Sequence, residues 1–569
     1  MAKKTPRAAG PEAAVPENFF LSSWRPYAWI GLAGAALYWR VPSFGFVYLD
    51  DNALILDNAP FLSRWSSLLE VFKQDVFHVS HGVSAYYRPL FMASLVCDAH
   101  AWGLSPGGYH LTNLLIHLAA CGLLYRLFVK LGQAKPAALF FALAFAVAPI
   151  STQAVALIPS RDDPLMGVFA LASFLALLGY LETRSAKRYL AHVLLFAVAL
   201  FCKETAVVLI PLFLLYLHLI AGEPVFSTSD KALVPGWLGV AAAWFFLRRA
   251  ALDRPLPMSA VSAVRSVAAG LPAVVQFCGK ILLPFNLSVL PLQSDTTLVY
   301  GVLSLALLGA ALAVTPEKRW RRILFGAAWF ALFLLPSLTL HATTFADVMV
   351  EKRIYVPLMG FLLILLETRF ARGLAAGGRA AWLFGAALLV GYAAITFLYE
   401  GDYRDRLHFW KSAAASSPHL PLAHRNLGAM YYLDGDFIHA SDEFQTAAAL
   451  NPKEPMVHNN LGLILMRSGK LPEAEGEFNR ELAINPGYDN ALFNLGLVYY
   501  RAGKPDLAEA FWNKTLASNP DYTAAYYDLI VLAAAKKDLP AVARAVAGLR
   551  ARGLSVPPEL ERLLAAPSK

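Results

Sequence analysis

The chain has 569 residues, of which 57% are hydrophobic and only 16% charged, with a mean hydropathy of +0.49. Soluble domains carry roughly 25% charged residues, so this deficit, spread over many long apolar runs, excludes a soluble globular protein and implies a polytopic membrane protein. The net charge of +9 is too diffuse for a nucleic-acid partner, and the four cysteines, Cys97, Cys121, Cys202 and Cys278, form no CxxC pair that would suggest zinc or a disulfide framework.

Residues 1–22 read as a disordered basic tail. No small-residue cleavage site follows, so the first apolar segment is expected to stay in the membrane as an anchor. Apolar segments lie near 26–45, 110–131, 137–158, 164–181, 189–202, 204–221, 232–250, 298–315, 322–340, 354–371 and 380–399. A span needs roughly 20 residues. Residues 189–220 as one helix would run about 48 Å with Lys203-Glu204 mid-membrane, so two short helices meeting at a surface or cavity fit better. The region 255–292, broken by Lys280 and Pro284, reads as a surface-lying helix rather than a twelfth span.

The positive-inside rule supports eleven spans with the N-terminus inside. That choice puts Lys130, Lys135, Arg184, Lys187, Arg188, Lys231, Lys318, Arg319, Arg321, Arg322, Arg369, Arg372 and Arg379 on the inner side. It also puts the C-terminal region outside.

The largest outside loop, about 46–109, begins with Val47-Tyr48-Leu49-Asp50-Asp51-Asn52. Adjacent residues on a helix diverge by about 100°, so two carboxylates converge on one ligand only at a helix exit or loop. There they suit a base with a helper; the bland alternative is an N-cap of the next helix. Charges recur at the other outside edges: Arg88, Ser160-Arg161-Asp162-Asp163, Lys203-Glu204 and Glu351-Lys352-Arg353. Charges near a membrane are costly and are functional or paired. Acidic plus basic groups on one side suggest a phosphate-bearing substrate with a base beside it. The alternative is that Arg161-Asp162 and Glu351-Arg353 are internal salt bridges.

After about 400 polar residues return with a repeat of 34, the tetratricopeptide period. Leu-Gly recurs at 427–428, 461–462 and 495–496, and Asn-Pro at 451–452, 485–486 and 519–520. The same register aligns Ala440, Ala474 and Ala508, and Phe444, Phe478 and Trp512. A degenerate fourth unit from 523 fits a capping repeat. The expected fold is therefore all-α: a membrane domain over 23–400, a repeat domain over 401–556 and a tail over 557–569.

Five motifs carry a resemblance. They are Val47–Asn52; Tyr87-Arg88-Pro89-Leu90 with Gly108-Tyr109-His110-Leu111-Thr112-Asn113-Leu114-Leu115-Ile116-His117; Ala148-Pro149-Ile150-Ser151-Thr152-Gln153-Ala154-Val155 with Ser160-Arg161-Asp162; Cys202-Lys203-Glu204; and Glu351-Lys352-Arg353-Ile354-Tyr355-Val356-Pro357. In this order, with the repeats, the chain resembles the transmembrane and tetratricopeptide-repeat O-mannosyltransferases and their bacterial relatives, which are GT-C glycosyltransferases. The resemblance implies a polyprenyl- or dolichyl-phosphate sugar donor, reaction on the outer membrane face, and a catalytic Asp in the first outside loop, Asp50 or Asp51. Ala148-Pro149 and Ser160-Arg161 depart from the eukaryotic His-Pro and Gly-Arg. With the few repeats, they point to a bacterial inner-membrane member with repeats in the periplasm.

The chemistry agrees with the resemblance. Negative charge builds on the departing phosphate, and fixed cations stabilise it more in the transition state than in the ground state. Arg88, Arg161, Lys203 and Arg353 are the candidates, with Lys352 and His110 behind them. Asp50 is read as the base and Asp51 as its helper, giving direct displacement with inversion. His117 is read as a structural residue. No cofactor or metal is expected, although the carboxylate pair can offer oxygens to a divalent cation. Asn426, Asn460 and Asn494, 34 apart, with Asp528 next, form a ladder that can grip a polypeptide backbone; the alternative is that these amides only tie one helix to the next. This ladder resembles that of the soluble O-GlcNAc transferase. The competing readings are transfer to an envelope polysaccharide or lipid, a secondary transporter, and a non-catalytic membrane-tethered scaffold.

Overall fold

The computed structural model describes residues 19–78, 86–222, 232–252, 260–338, 350–554 and 556. The expected tails at 1–18 and 557–569 lie outside the described residues, and 19–21 form a short helical turn. Regular structure among the described residues is helical, with no strand. The chain divides into two compact units, residues 1–417 and 418–569.

In the first unit each of the eleven apolar segments holds a helix. Six described helices are long and apolar enough to cross a membrane, or eight if two bent pairs each count as one span. Arg25–Leu37, Ala186–Cys202 and Val299–Ala313 have 13, 17 and 15 residues and fall short of a full span. The expected break after Cys202 is present: Lys203 is extended, between Ala186–Cys202 and Glu204–Val208. In the segment expected to lie on the surface, Val261–Leu282 is one of the six by length and composition, and Lys280 near its end is fully buried against Glu351.

Small residues let these helices touch. A Cβ on Gly360 would meet Phe330 N at 2.6 Å, and one on Gly326 would meet Gly360 O at 2.8 Å. The backbones of Trp320–Leu338 and Tyr355–Leu365 are therefore in contact, the usual device where hydrophobic burial cannot drive helices together.

The ends of the helices sort into two groups. Arg40 bonds Glu400 at 3.0 Å, Gly45 N bonds Arg404 O at 2.8 Å, and Trp410 Nε1 bonds Val47 O at 2.9 Å. Lys280 meets Glu351 at the same end. At the other end Lys130 pairs with Glu182, Gln133 bonds Glu367, and Arg372 bonds Pro316 O. Ile220 lines a small cavity there with Gln133, Arg322 and Glu367.

The second unit is four helical pairs: Pro421–Leu433 with Phe437–Leu450, Val457–Arg467 with Leu471–Ile484, Asp489–Arg501 with Pro505–Ser518, and Thr523–Ala535 with Leu539–Ala551. The repeat columns are packing positions. Ala440, Ala474 and Ala508 are buried, and Phe444, Phe478 and Trp512 sit against Gly428, Gly462 and Gly496. The fourth pair inverts this arrangement, with Gly548 on the second helix receiving Tyr526 from the first. That inversion explains why no Gly follows Leu529.

Candidate functional site

The loop leading to Asp50 and Asp51 is clamped from several directions. Tyr48 is left-handed (φ 59°), which turns the chain so that Val47 N and Tyr48 N both donate to Asp51 Oδ2, at 2.7 and 3.2 Å. Trp410 holds Val47 O, and His110 Nε2 lies 3.4 Å from Gly45 O with its ring edge-on to Phe44. Asp51 is 1% exposed and starts the helical turn Asn52–Leu56, but its carboxylate reaches back into the loop instead of forward as a cap. Asp50 is half-buried, and its carboxylate has no hydrogen-bond or ion-pair partner among the described residues.

These surroundings separate the two acids. Burial raises the Asp50 pKa, opposed by Lys352 and Arg88 and reinforced by Asp162. Burial lifts Asp51 to about 7, against the two N–H donors. The geometry gives Asp51 the task of holding the loop and leaves Asp50 free to meet a ligand.

Opposite Asp50 stands an ion network with Asp162 at its centre. Asp162 Oδ2 takes Arg88 Nη1 at 2.8 Å and Lys203 Nζ at 3.0 Å; Oδ1 takes Lys352 Nζ at 3.1 Å. Lys203 also reaches Asp163 at 2.6 Å, and Arg88 makes a two-pronged contact with Glu204. Two-pronged guanidinium pairs fix orientation as well as charge. Arg353 is different. It donates to Ser337 O at 3.5 Å and has no carboxylate within ion-pair distance among the described residues, though it lies in the field of Asp162, Asp163 and Arg88.

The structure thus brings together Asp50, Arg88, Lys203, Lys352 and Arg353. It does not bring Arg161 to them. Arg161 is fully buried and pairs with Asp98, with Asn113 Oδ1 at 2.6 Å, Tyr109 O at 3.0 Å and Ser94 Oγ at 3.3 Å taking its remaining donors. A guanidinium so saturated has no donor left for phosphate. His110 backs the loop that carries Asp50, and no contact joins it to the cations. His117 bonds Tyr355 Oη and faces Ala146 O, a structural arrangement. Neither sequence-adjacent ion pair forms: Arg161 takes Asp98 instead of Asp162, and Glu351 takes Lys280 instead of Arg353.

Glu351 is a hub. Its oxygens accept from Lys280 Nζ (2.6 Å), Ser288 N (3.0 Å) and Tyr399 Oη (3.0 Å). The next residue, Lys352, is held through its backbone N by Gln153 Oε1 at 2.7 Å. The turn bearing Lys352 and Arg353 is therefore fixed from both sides. Sequence reasoning did not find Asp162 as the centre, nor Gln153 and Lys280 as supports. Gln153 lies inside a quoted motif and Lys280 is a charge in an apolar stretch, which is the signal that pointed to them.

In the repeats the three ladder amides are not equivalent. Asn426 and Asn460 are half-exposed and accept only long contacts from Arg425 and Asn459, at 3.4 Å. Asn494 is buried and donates to Asn459 Oδ1 at 2.9 Å, tying two repeats together. No three His, Cys, Asp or Glu side chains converge as a metal site would among the described residues.

Comparison with known proteins adds to this geometry. Residues 107–247 match the family model for dolichyl-phosphate-mannose-protein mannosyltransferase, which spans Asn113, Arg161, Asp162 and Lys203. Residues 439–489 and 493–551 match a tetratricopeptide-repeat model. The chain is 31% identical to the protein O-mannosyl-transferase Tmtc1 of Drosophila melanogaster over 185 residues, 31% of this chain and 21% of that protein. It is 31% identical to TMTC3 of Mus musculus over 32% of this chain and 20% of that protein. It is 36% identical to TMTC2 of Homo sapiens over 26% and 18%. The aligned stretches thus span about a fifth of these relatives. The crystal structure of MamA aligns with 27% of this chain and 92% of its own, at 21% identity and a TM-score of 0.25.

Proposed function

We propose that this chain, which resembles the transmembrane and tetratricopeptide-repeat O-mannosyltransferases, transfers a sugar from a polyprenyl- or dolichyl-phosphate donor to a hydroxyl group of a protein Ser or Thr. The observation that carries the reading is a carboxylate without a partner among the described residues, Asp50, facing cations delivered by three distant chain segments. In the reaction the acceptor oxygen attacks the anomeric carbon while its proton passes to Asp50. The bond from that carbon to the phosphate oxygen breaks on the opposite side, so configuration inverts. The departing lipid phosphate takes the electron pair, and Arg88, Lys352 and Arg353 stabilise its charge. Lys203, at 7% side-chain exposure, backs the network and positions Asp162. A raised pKa makes Asp50 a stronger base than an ordinary carboxylate.

Contacts at the helix ends support the eleven-span, N-terminus-inside reading. Ile220 lies at the end opposite the site, and Lys280 lies at the site end. This placement fits an odd number of crossings between them, with one span from Leu233–Ala251 and Ala260–Leu282 together. Residues 400–410 lie beside the Asp50 loop, so the first unit ends on the catalytic side. In a bacterial cell that side is the periplasm, where the repeats hold the acceptor.

The test uses the full chain in nanodiscs with polyprenyl-phosphate mannose and a Ser/Thr-rich protein acceptor. Asp50→Asn should cut turnover roughly 10²-fold or more with insertion intact. Wild-type transfer by that variant would refute the assignment.

A further inference from the structure

The ladder position of the last repeat holds an acid where the other three hold amides: Asn426, Asn460, Asn494 and then Asp528. Asp528 is half-buried on Thr523–Ala535, with no hydrogen-bond or ion-pair partner among the described residues. Burial alone holds its carboxyl up at about 6. The Tyr522 hydroxyl lies in its field and in that of Asp489. Asp489 accepts from Asn519 Nδ2 at 2.6 Å and from Asn490 N at 2.8 Å, and has no cation within ion-pair distance among the described residues. Tyr522 donates to Asn490 Oδ1 at 2.8 Å and packs on Phe493, with ring centroids 5.0 Å apart.

Two carboxylates, neither with a cation within ion-pair distance among the described residues, therefore act on Tyr522, one of a packed pair of aromatic rings. An isolated desolvated carboxylate is costly, and the cost is offset when a cation arrives. Aromatic faces attract the same ligand through their quadrupoles. A neutral amide at 528 would carry no charge to attract such a ligand.

We propose that the corner formed by Asp489, Phe493, Tyr522 and Asp528 is a subsite for a cationic side chain, Lys or Arg, of the polypeptide held by the repeats. This rests on the reading that the acceptor is a polypeptide. The subsite would select acceptors with a basic residue at a set distance from the modified hydroxyl, while the amide ladder grips the backbone.

The experiment uses the full chain in detergent and two fluorescent Ser/Thr-rich peptides that differ only in one central residue, Lys or Gln. Binding is followed by anisotropy without donor, and transfer is assayed separately. Wild type should bind the Lys peptide at least fivefold more tightly. Asp528→Asn, which installs the residue of the other three repeats, should abolish the preference with an unchanged thermal midpoint. Asp528→Glu, which keeps the charge, should retain part of it. No Lys preference in wild type, or an undiminished one in Asp528→Asn, would overturn the proposal. Because binding is read without turnover, a Lys preference without any sugar transfer would fell the catalytic reading and leave the subsite standing.

Discussion

The buried pair Lys280–Glu351 sets a sharp test of how the cationic turn is held. Both side chains are 0% exposed and 2.6 Å apart. Glu351→Gln removes the charge but not the size, and leaves the buried Lys280 ammonium with only neutral acceptors among the described residues, the new amide oxygen and Asn286 O at 2.6 Å. An uncompensated buried charge costs about 3–5 kcal/mol. Lys280→Met is milder. The Glu351 carboxylate keeps its hydrogen bonds from Ser288 N and Tyr399 Oη, so the loss should be about 1–3 kcal/mol. The double variant removes both charges and should cost little more than Lys280→Met alone, giving a coupling of about 2 kcal/mol or more. Thermal unfolding of the four proteins in nanodiscs measures this cycle. Donor KM, measured alongside, should rise in Glu351→Gln, because Lys352 and Arg353 follow Glu351 directly. Additive losses, or a Glu351→Gln variant as stable as Lys280→Met, would refute the reasoning.

Other outcomes follow from the same geometry. Arg353→Gln removes a cation that no carboxylate pairs with among the described residues, so the thermal midpoint should hold while donor KM rises about tenfold or more. Arg161→Lys should instead lower stability and membrane abundance, by about 3–5 kcal/mol, because it strips bonds from Asn113, Tyr109 and Ser94 around buried Asp98. Asp51 has a raised pKa, so its contribution to stability is full below its unfolded value near 4 and lost as pH rises through about 7. Asp51→Asn, which can still accept from Val47 and Tyr48, should flatten that loss by at most roughly 4 kcal/mol, and wild-type pH dependence of the thermal midpoint would count against it. In a background with Cys97 replaced by Ser, a cysteine at 316–322 should resist an impermeant thiol reagent in intact cells and one near 470 should react; the reverse pattern would invert the topology.

The repeats were legible because their packing is local. Gly428 meets Phe444 and Gly462 meets Phe478 within one 34-residue unit, so composition and period carry the contact. Apolar runs and the break at Lys203 were legible for the same reason: a helix in lipid satisfies its own backbone, and each segment declares itself. Charge partnership was not. Arg161 reaches back to Asp98, Lys280 crosses 71 residues to Glu351, and Arg88 crosses 116 to Glu204. On a helix, residues one apart point about 100° apart and residues two apart point to nearly opposite sides, so Arg161-Asp162 and Glu351-Arg353 are close in sequence but do not face each other. The division between Asp50 and Asp51 rested on two N–H groups that only a left-handed Tyr48 turns toward Asp51. Local patterns in the sequence determined the elements and the chemistry on offer. Which charges are consumed in holding the fold, and which stay free for a ligand, depended on distance and dehydration, and these exist only in the packed chain.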